Sequence, residues 1–404
     1  MTDIDTLLAP RMHRFKPSPS QLATARVREL TAQGRDIVKL TAGEPDFPTP
    51  EVAKAAVMEL MESGTVGYTP INGTEALRKA IQHKFKRDSG LDFALNEITV
   101  GSGTKQILFN ALMATVSEGD EVIVSAPYWT SYPDMVQLAG GTPVIVRCEQ
   151  NRGFKMNGEM LKEAISDKTK WFIFASPTNP TGATYTREQI RELADVLLEH
   201  PNVYILCDDV YEHLVYDGRS FATLIEVEPR LRDRTVTCNG VSKAYSMTGW
   251  RVGFAAGPAP LIAALSKMQS QSTAGSSAVG QTAAAAALLG PLDYVRERTK
   301  DLQDRRDMLY DALNAIPGLR CDRPEGAMYL FCSCAAFIGK TTPTGKTINN
   351  DEDFVHYLID EGDVAVVQGS AYGMSPYFRA SFVAPREDIV KGAERIRVAC
   401  ANLV

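Results

Sequence analysis

The sequence predicts an α/β protein: a mostly parallel central sheet between helices, with a smaller α+β domain attached. Three observations predict it. Short apolar runs recur through the middle of the chain, at Glu121–Ala126 (EVIVSA), Trp171–Ala175 (WFIFA), Val203–Cys207 (VYILC) and Thr235–Cys238 (TVTC), each of a length suited to a buried strand. Between several of them lie stretches with helical apolar spacing, such as Thr186–Glu199. Alternation of this kind is how a parallel sheet covered on both faces reads, because strands buried on both sides lose their polar positions. The third observation is a change of character near residue 294. A charged helical run (about 294–314) leads into Met328–Cys332, Val364–Val367, Tyr377–Val383 and a helix from about Pro385.

The strand-like Asp36–Leu40 and the residues before it are expected to pack with this C-terminal part. The expected division is an N-terminal segment 1–44, a large domain 45–293 and a small domain 294–404. An alanine-rich apolar run near 278–292 is interrupted by Gln281 and Thr282, too short to span a bilayer, and reads as a buried helix.

Bulk properties narrow the class. The 404 residues are 44% hydrophobic and 23% charged, with a net charge of −6 and both signs interspersed. That balance gives no footprint for nucleic acid or for an anionic membrane. The seven cysteines (148, 207, 238, 321, 332, 334 and 400) form no CxxC pair, so a reduced, intracellular protein is expected. Residues 1–10 carry acids and no basic-then-apolar pattern, so no signal peptide is expected and the chain reads as cytoplasmic. The five histidines are scattered without ligand spacing, and no metal is expected; His213 reads as structural.

Four polar or glycine-rich turns follow strand-like runs, where parallel sheets place their ligands. They are GSGTKQ (101–106), PTNPTG (177–182), CDDVYEH (207–213) and NGVSKAYSMTGWRVG (239–253). In the last, Lys243 is flanked by small residues, and Arg251 follows eight positions later. A lysine that forms an imine needs its charge destabilised by burial or by cations. A tethered phosphate needs a fixed bidentate cation, with Ser242 as a further donor. Taken alone, Lys243 and Arg251 read more readily as solvated loop residues.

Asp208 follows an apolar run, so its carboxylate is expected half-buried at a strand's carboxyl end, where it requires a partner. A protonated ring nitrogen is one such partner and makes the ring an electron sink; a helix N-cap is the other reading. Tyr211 could donate to an oxygen of the same ring. Asn179 lies between two prolines, which aims its amide at one point. GSGTKQ could cradle an anion at a helix start, and Trp129 offers a flat face to a ring.

These segments, with KPSPS (16–20), TAGEPDFPTP (41–50), GYTPINGTEALRKAI (67–81), APYWTSYP (126–133) and YFRASF (377–382), span nearly the whole chain. Together they resemble the class I aminotransferase family, fold-type I enzymes dependent on pyridoxal 5'-phosphate, and within it the I-beta aspartate aminotransferases of bacteria. The resemblance implies catalytic roles for Lys243, Asp208 and Tyr211. Lys243 holds the cofactor covalently and shuttles the proton, while Asp208 pairs with the ring nitrogen. Asn179 and Tyr211 bind the ring oxygen, and Trp129 stacks on the ring. Gly103, Thr104, Lys105, Ser242 and Arg251 surround the phosphate. Arg379 takes the substrate α-carboxylate, and Gly43 touches the substrate. Tyr68 reaches the phosphate of a neighbouring subunit, which implies a homodimer with shared sites.

In the I-beta subgroup a lysine matching Lys105 binds the distal carboxylate of a dicarboxylic amino acid. Lys16 matches a lysine associated in some members with acceptance of prephenate. The implied activity is ping-pong transfer of the amino group of aspartate to 2-oxoglutarate, with conversion of prephenate to arogenate as an additional reaction. Aminotransferases for aromatic or other amino acids, and β-eliminating lyases with the same cofactor residues, are the nearest rivals. A P-loop is excluded because GKTTPTGKT (339–347) has Lys340 where the motif's first glycine is required, and a dinucleotide fingerprint fails at Gln106. A cofactor-binding regulator would need a DNA-binding segment for which the resemblance leaves no room.

Overall fold

The computed structural model describes residues 7–14 and 19–404. Among the described residues thirteen strands run in chain order: β1 Val38–Lys39, β2 Ile98–Gly101, β3 Glu121–Ala126, β4 Thr142–Arg147, β5 Thr169–Ala175, β6 Tyr204–Asp208, β7 Thr235–Gly240, β8 Gly253–Ala256, β9 Arg320–Cys321, β10 Tyr329–Ser333, β11 Val364–Ala365, β12 Val367–Gln368 and β13 Tyr377–Ser381. Seven of them form the central sheet in the order β2-β8-β7-β6-β5-β3-β4. The β4-β3-β5-β6-β7 pairings are parallel, and β8 runs antiparallel to both its neighbours. The chain therefore has the mostly parallel α/β sheet that the apolar runs predict.

Alternation along each strand supplies two cores. Ile123, Phe172, Phe174, Ile205 and Cys207 pack into one cluster, while Val122, Val124, Trp171, Ile173 and Leu206 pack into another. Successive side chains leave a strand on opposite faces, so both faces need a helical cover. The helix Arg187–Glu199 is one such cover, turning Ile190, Leu193, Ala194 and Leu197 inward. It starts at Thr186, whose hydroxyl accepts from the Gln189 amide while the Gln189 side chain returns to the Thr186 N–H. The alanine-rich run forms the helix Ala278–Leu289, with Ala283, Ala284, Ala287 and Leu288 buried. Among the described residues no helix is long and apolar enough to cross a membrane.

A four-stranded antiparallel sheet, β12-β13-β10-β9, stands beside the large one. The helix Asp293–Asn314 leads to it and the helix Arg386–Ala401 follows it. β1 pairs in parallel with β11, and Val27, Leu30 and Ile37 share a core with Leu309, Leu358 and Ile396. That core also takes in Tyr211, Leu214 and Tyr216, which follow β6. Residues 321–329 make a direct link: the Gly326 N–H donates to Gly182 O (2.8 Å) and the Ala327 N–H to Leu214 O (2.9 Å). A side chain on Gly182, whose φ is +69°, would meet Gly326 O at 2.4 Å, so this approach depends on glycine.

The expectation that the cysteines are all reduced is corrected at one pair. Cys321 and Cys332 face each other across β9 and β10 with a Cα–Cα distance of 4.3 Å and form a disulfide. They stand 11 positions apart in sequence, and strand pairing brings them together. The other five cysteines are free and buried.

Candidate active site

A cleft of about 920 Å³ opens beyond the carboxyl ends of β5, β6 and β7, where the large sheet meets the smaller one. Its walls include Gly43, Thr104, Lys105, Trp129, Asn179, Asp208, Tyr211, Ser242, Lys243, Arg251 and Arg379. Eleven of the residues singled out in the sequence thus meet in one place.

Asp208 is the last residue of β6, and at 6% exposure it lies deeper than the half-buried position expected for it. One carboxylate oxygen, Oδ2, accepts from the Tyr132 hydroxyl at 2.7 Å. The other, Oδ1, is buried with no hydrogen-bond partner among the described residues. Burial pushes the Asp208 carboxyl up, and the Tyr132 hydroxyl, the Val210 amide and the charge of Lys243 pull against that. A buried carboxylate with a free oxygen calls for a cationic donor. Asp208 caps no helix. Tyr132 was not among the expected site residues, although it lies one helical turn after Trp129 and that spacing signals a shared face. The two rings pack edge to face at 5.3 Å.

Lys243 follows β7 and donates to Gly43 O at 2.6 Å. Among the described residues it has no ion pair. The turn 101–104 lies close by, and there the chain depends on Gly103, with φ +89°. A Cβ at Gly103 would meet Arg251 Nη2 at 2.3 Å. Gly103 precedes the helix Thr104–Thr115, which has no side-chain cap on its first amides. Arg251 adopts a left-handed φ of +54° and donates to Thr248 O (2.9 Å) and Ser102 O (3.4 Å). Ser242 is buried at the same end of the cleft. Uncapped helical amides, a glycine and an arginine make an anion cradle.

Lys105 projects over the Trp129 ring, its Nζ 4.7 Å from the centroid. Burial, and then the charges of Arg251 and Lys243, lower its pKa.

On the opposite wall β13 carries Arg379, only 4% exposed. Its Nη1 donates to Asn179 Oδ1 (3.1 Å) and its Nη2 to Thr41 O (2.8 Å). The guanidinium lies 4.1 Å from the centre of the Tyr329 ring. Among the described residues no acid pairs with Arg379, and its Nε is buried without a partner. A buried guanidinium held only by neutral groups is a receptor for a carboxylate. Tyr329 and Thr41 were likewise missing from the expected set. Tyr329 reaches the cleft through strand pairing, and Thr41 opens the motif TAGEPDFPTP just after β1.

Two expected residues do not join them. Tyr68 is fully exposed (103%) and does not line the cleft of its own chain. Lys16 lies outside the described residues. The scattered histidines do yield one cluster: ligand atoms of Asp88, Glu212 and His213 lie within 4.8 Å of one another. The Lys84 ammonium already occupies it, 2.5 Å from Glu212 and 3.6 Å from Asp88. Burial opposes ionisation of Asp88, but hydrogen bonds from His213 and Arg87 hold its carboxyl well below the usual range. The cluster is a buried ion-pair network beneath the Tyr211 turn.

Residues 35–396 match the family described as aminotransferase class I and II. The chain belongs to that family. An aspartate/prephenate aminotransferase of Cereibacter sphaeroides is 49% identical over 396 residues, covering 98% of this chain and 99% of its own. An aspartate aminotransferase of Rhizobium meliloti is 49% identical over 379 residues, with 94% and 92% covered. A crystal structure of the aspartate aminotransferase from Rhizobium meliloti superposes with a TM-score of 0.96 at 48% identity, over 98% of this chain and 99% of that one. A Thermus thermophilus aspartate aminotransferase solved with maleate gives 0.90 at 37%, over 97% and 99%. The class I and II aminotransferases depend on pyridoxal phosphate and act on amino and oxo acids.

Proposed function

We propose that this aminotransferase binds pyridoxal 5'-phosphate on Lys243 and transfers the amino group of L-aspartate to 2-oxoglutarate, with prephenate as a further acceptor. One observation carries the reading. Among the described residues a single cleft holds a buried carboxylate with a free oxygen, a lysine without an acid partner and a buried arginine without an acid partner. The residues fit the cofactor: Asp208 Oδ1 awaits a ring N–H, Trp129 offers a face, and the cradle at Gly103, Thr104, Ser242 and Arg251 suits a phosphate dianion. When bound, pyridoxal phosphate supplies an electron sink for the charge left on the substrate Cα.

The chain's own residues would do the rest. Arg379 binds the α-carboxylate and so sets which bond at Cα stands across the ring. Asn179 holds Arg379 through its Oδ1 and keeps its amide N–H groups for the ring oxygen, which Tyr211 would share. Lys243 takes the Cα proton and returns it on the far side of the transfer, as base and then acid. Asp208 keeps the ring nitrogen protonated, which stabilises charge developing in the transition state.

Lys105 is the cation left to read a distal carboxylate, and a dicarboxylate in the Thermus thermophilus structure supports that class of ligand. We assign Lys16 to prephenate acceptance by the same resemblance. Tyr68, exposed and outside its own cleft, supports a homodimer in which it serves the partner's phosphate. The division into an N-terminal segment 1–44, a large domain 45–293 and a small domain 294–404 is kept as part of this proposal.

Steady-state assays with aspartate, alanine, leucine and prephenate test the proposal. Aspartate should give the highest kcat/KM as donor, with oxaloacetate and glutamate as products and the cofactor left as its amine. Release of ammonia, or preference for alanine or leucine over aspartate, would contradict it.

A further inference from the structure

Tyr329 touches both halves of the cleft, and none of the roles above uses it. It is 1% exposed and opens β10, opposite Ser381 of β13. Its ring lies 4.1 Å from the Arg379 guanidinium, and its hydroxyl is 3.1 Å from the Tyr211 hydroxyl. The same hydroxyl would lie 3.0 Å from a Cβ at Gly43, so the substrate side has no room for a larger residue.

We propose that Tyr329 is a positioning residue with two separable jobs: its ring orients Arg379 toward the substrate carboxylate, and its hydroxyl orients the proton of Tyr211. The inference rests on the proposed function of the cleft. A guanidinium stacked on a ring face keeps its N–H edge free, and the edge is what binds a carboxylate in bidentate fashion. Asn179 and Thr41 hold Arg379 from its rim, and of the two rings that face the guanidinium Tyr329 (4.1 Å) lies nearer than Tyr372 (5.1 Å), so Tyr329 contributes more to its tilt.

The hydroxyl argument is one of proton counting. Tyr211 and Tyr329 have one O–H each. If Tyr211 gives its proton to the cofactor's ring oxygen, Tyr329 must be the donor between the two. Donation into Tyr211 makes Tyr211 a better donor in turn. Burial holds the Tyr211 hydroxyl in its protonated form, the form that can donate.

Two variants separate the jobs. Tyr329→Phe keeps the ring and removes the hydroxyl; Tyr329→Leu removes both. In cofactor-loaded Tyr329→Phe the pH midpoint of the visible absorbance change should rise by up to about 1 pH unit, in the direction of Tyr211→Phe and by less. Its Kd for maleate, measured by calorimetry, should stay within about twofold of wild type. Tyr329→Leu should show the same midpoint shift and a maleate Kd weakened about 5- to 30-fold, the span from an exposed to a desolvated cation–π contact. Thermal melts of the cofactor-free variants check that both are folded. An unshifted midpoint in Tyr329→Phe overturns the hydroxyl role, and an unchanged maleate Kd in Tyr329→Leu overturns the ring role. If wild type itself gains no visible absorbance with pyridoxal phosphate, the underlying reading of the cleft fails instead.

Discussion

The two walls of the cleft are built differently. The proposed cofactor wall comes from one sheet: Asp208 ends β6, and the other residues sit on the segments that follow β2, β3, β5, β6, β7 or precede β8. The substrate wall is assembled from β13, β10 and the segment at Thr41–Gly43, and it leans on the smaller sheet. The first wall is anchored in a continuous hydrogen-bonded frame. The second depends on how two sheets meet, through contacts such as Gly326–Gly182. A fixed wall suits a cofactor that stays; a jointed wall suits substrates that enter and leave.

Substitutions can pull the walls apart. The largest effect is expected for Lys243→Ala, which should lower turnover by more than about 10³-fold and abolish the visible absorbance of bound cofactor. Full activity in that variant would break the comparison at its base. Arg379→Ala should cost about 10²- to 10³-fold in kcat/KM for aspartate, the scale of stranding a buried charged contact, while the cofactor spectrum stays as in wild type. Loss of cofactor binding in Arg379→Ala would mean that the walls are not separable.

Legibility in the sequence follows the same division. Lys243, Asp208, Asn179 and Arg251 were readable because each sits in a short run whose neighbours share its task, as in CDDVYEH. Strand limits were readable for the same sheet: β3 spans the whole of EVIVSA, and β6 lies one residue along from VYILC. Tyr329 was not readable, because its place is set by β10 pairing with β13, where Phe331 stands opposite Arg379. Cys321 and Cys332 were hidden likewise, by a pairing of two short strands. Tyr132 lay in between. Its helical spacing from Trp129 was visible, but its partner Asp208 is 76 residues away.

Smaller effects sharpen the contrast. Lys105→Gln should raise KM for aspartate about 10-fold and leave that for alanine nearly unchanged, since only the dicarboxylate needs a second cation. Equal changes for both donors would move Lys105 wholly to the phosphate. The smallest effect tests the frame beneath the cofactor wall. Burial pushes the Asp209 carboxyl up to about 8, against a hydrogen bond from Thr223. Its unfolded value lies near 4. The raised folded value favours the protonated folded protein, so this contribution to stability is full below about pH 4 and is lost as pH rises toward 8. Cofactor-free Asp209→Asn should therefore show a flatter fall in Tm between pH 5 and pH 9 than wild type. Parallel Tm curves would show that Asp209 is ionised throughout.

The central claim is that Lys243 is the residue that holds the cofactor, and its most direct test is to trap the link. Protein loaded with pyridoxal phosphate is reduced with borohydride, digested and mapped by mass spectrometry. The account predicts one stable pyridoxyl adduct, on the peptide containing Lys243. An adduct on Lys105 or elsewhere with Lys243 unmodified, or no adduct at all, would contradict it.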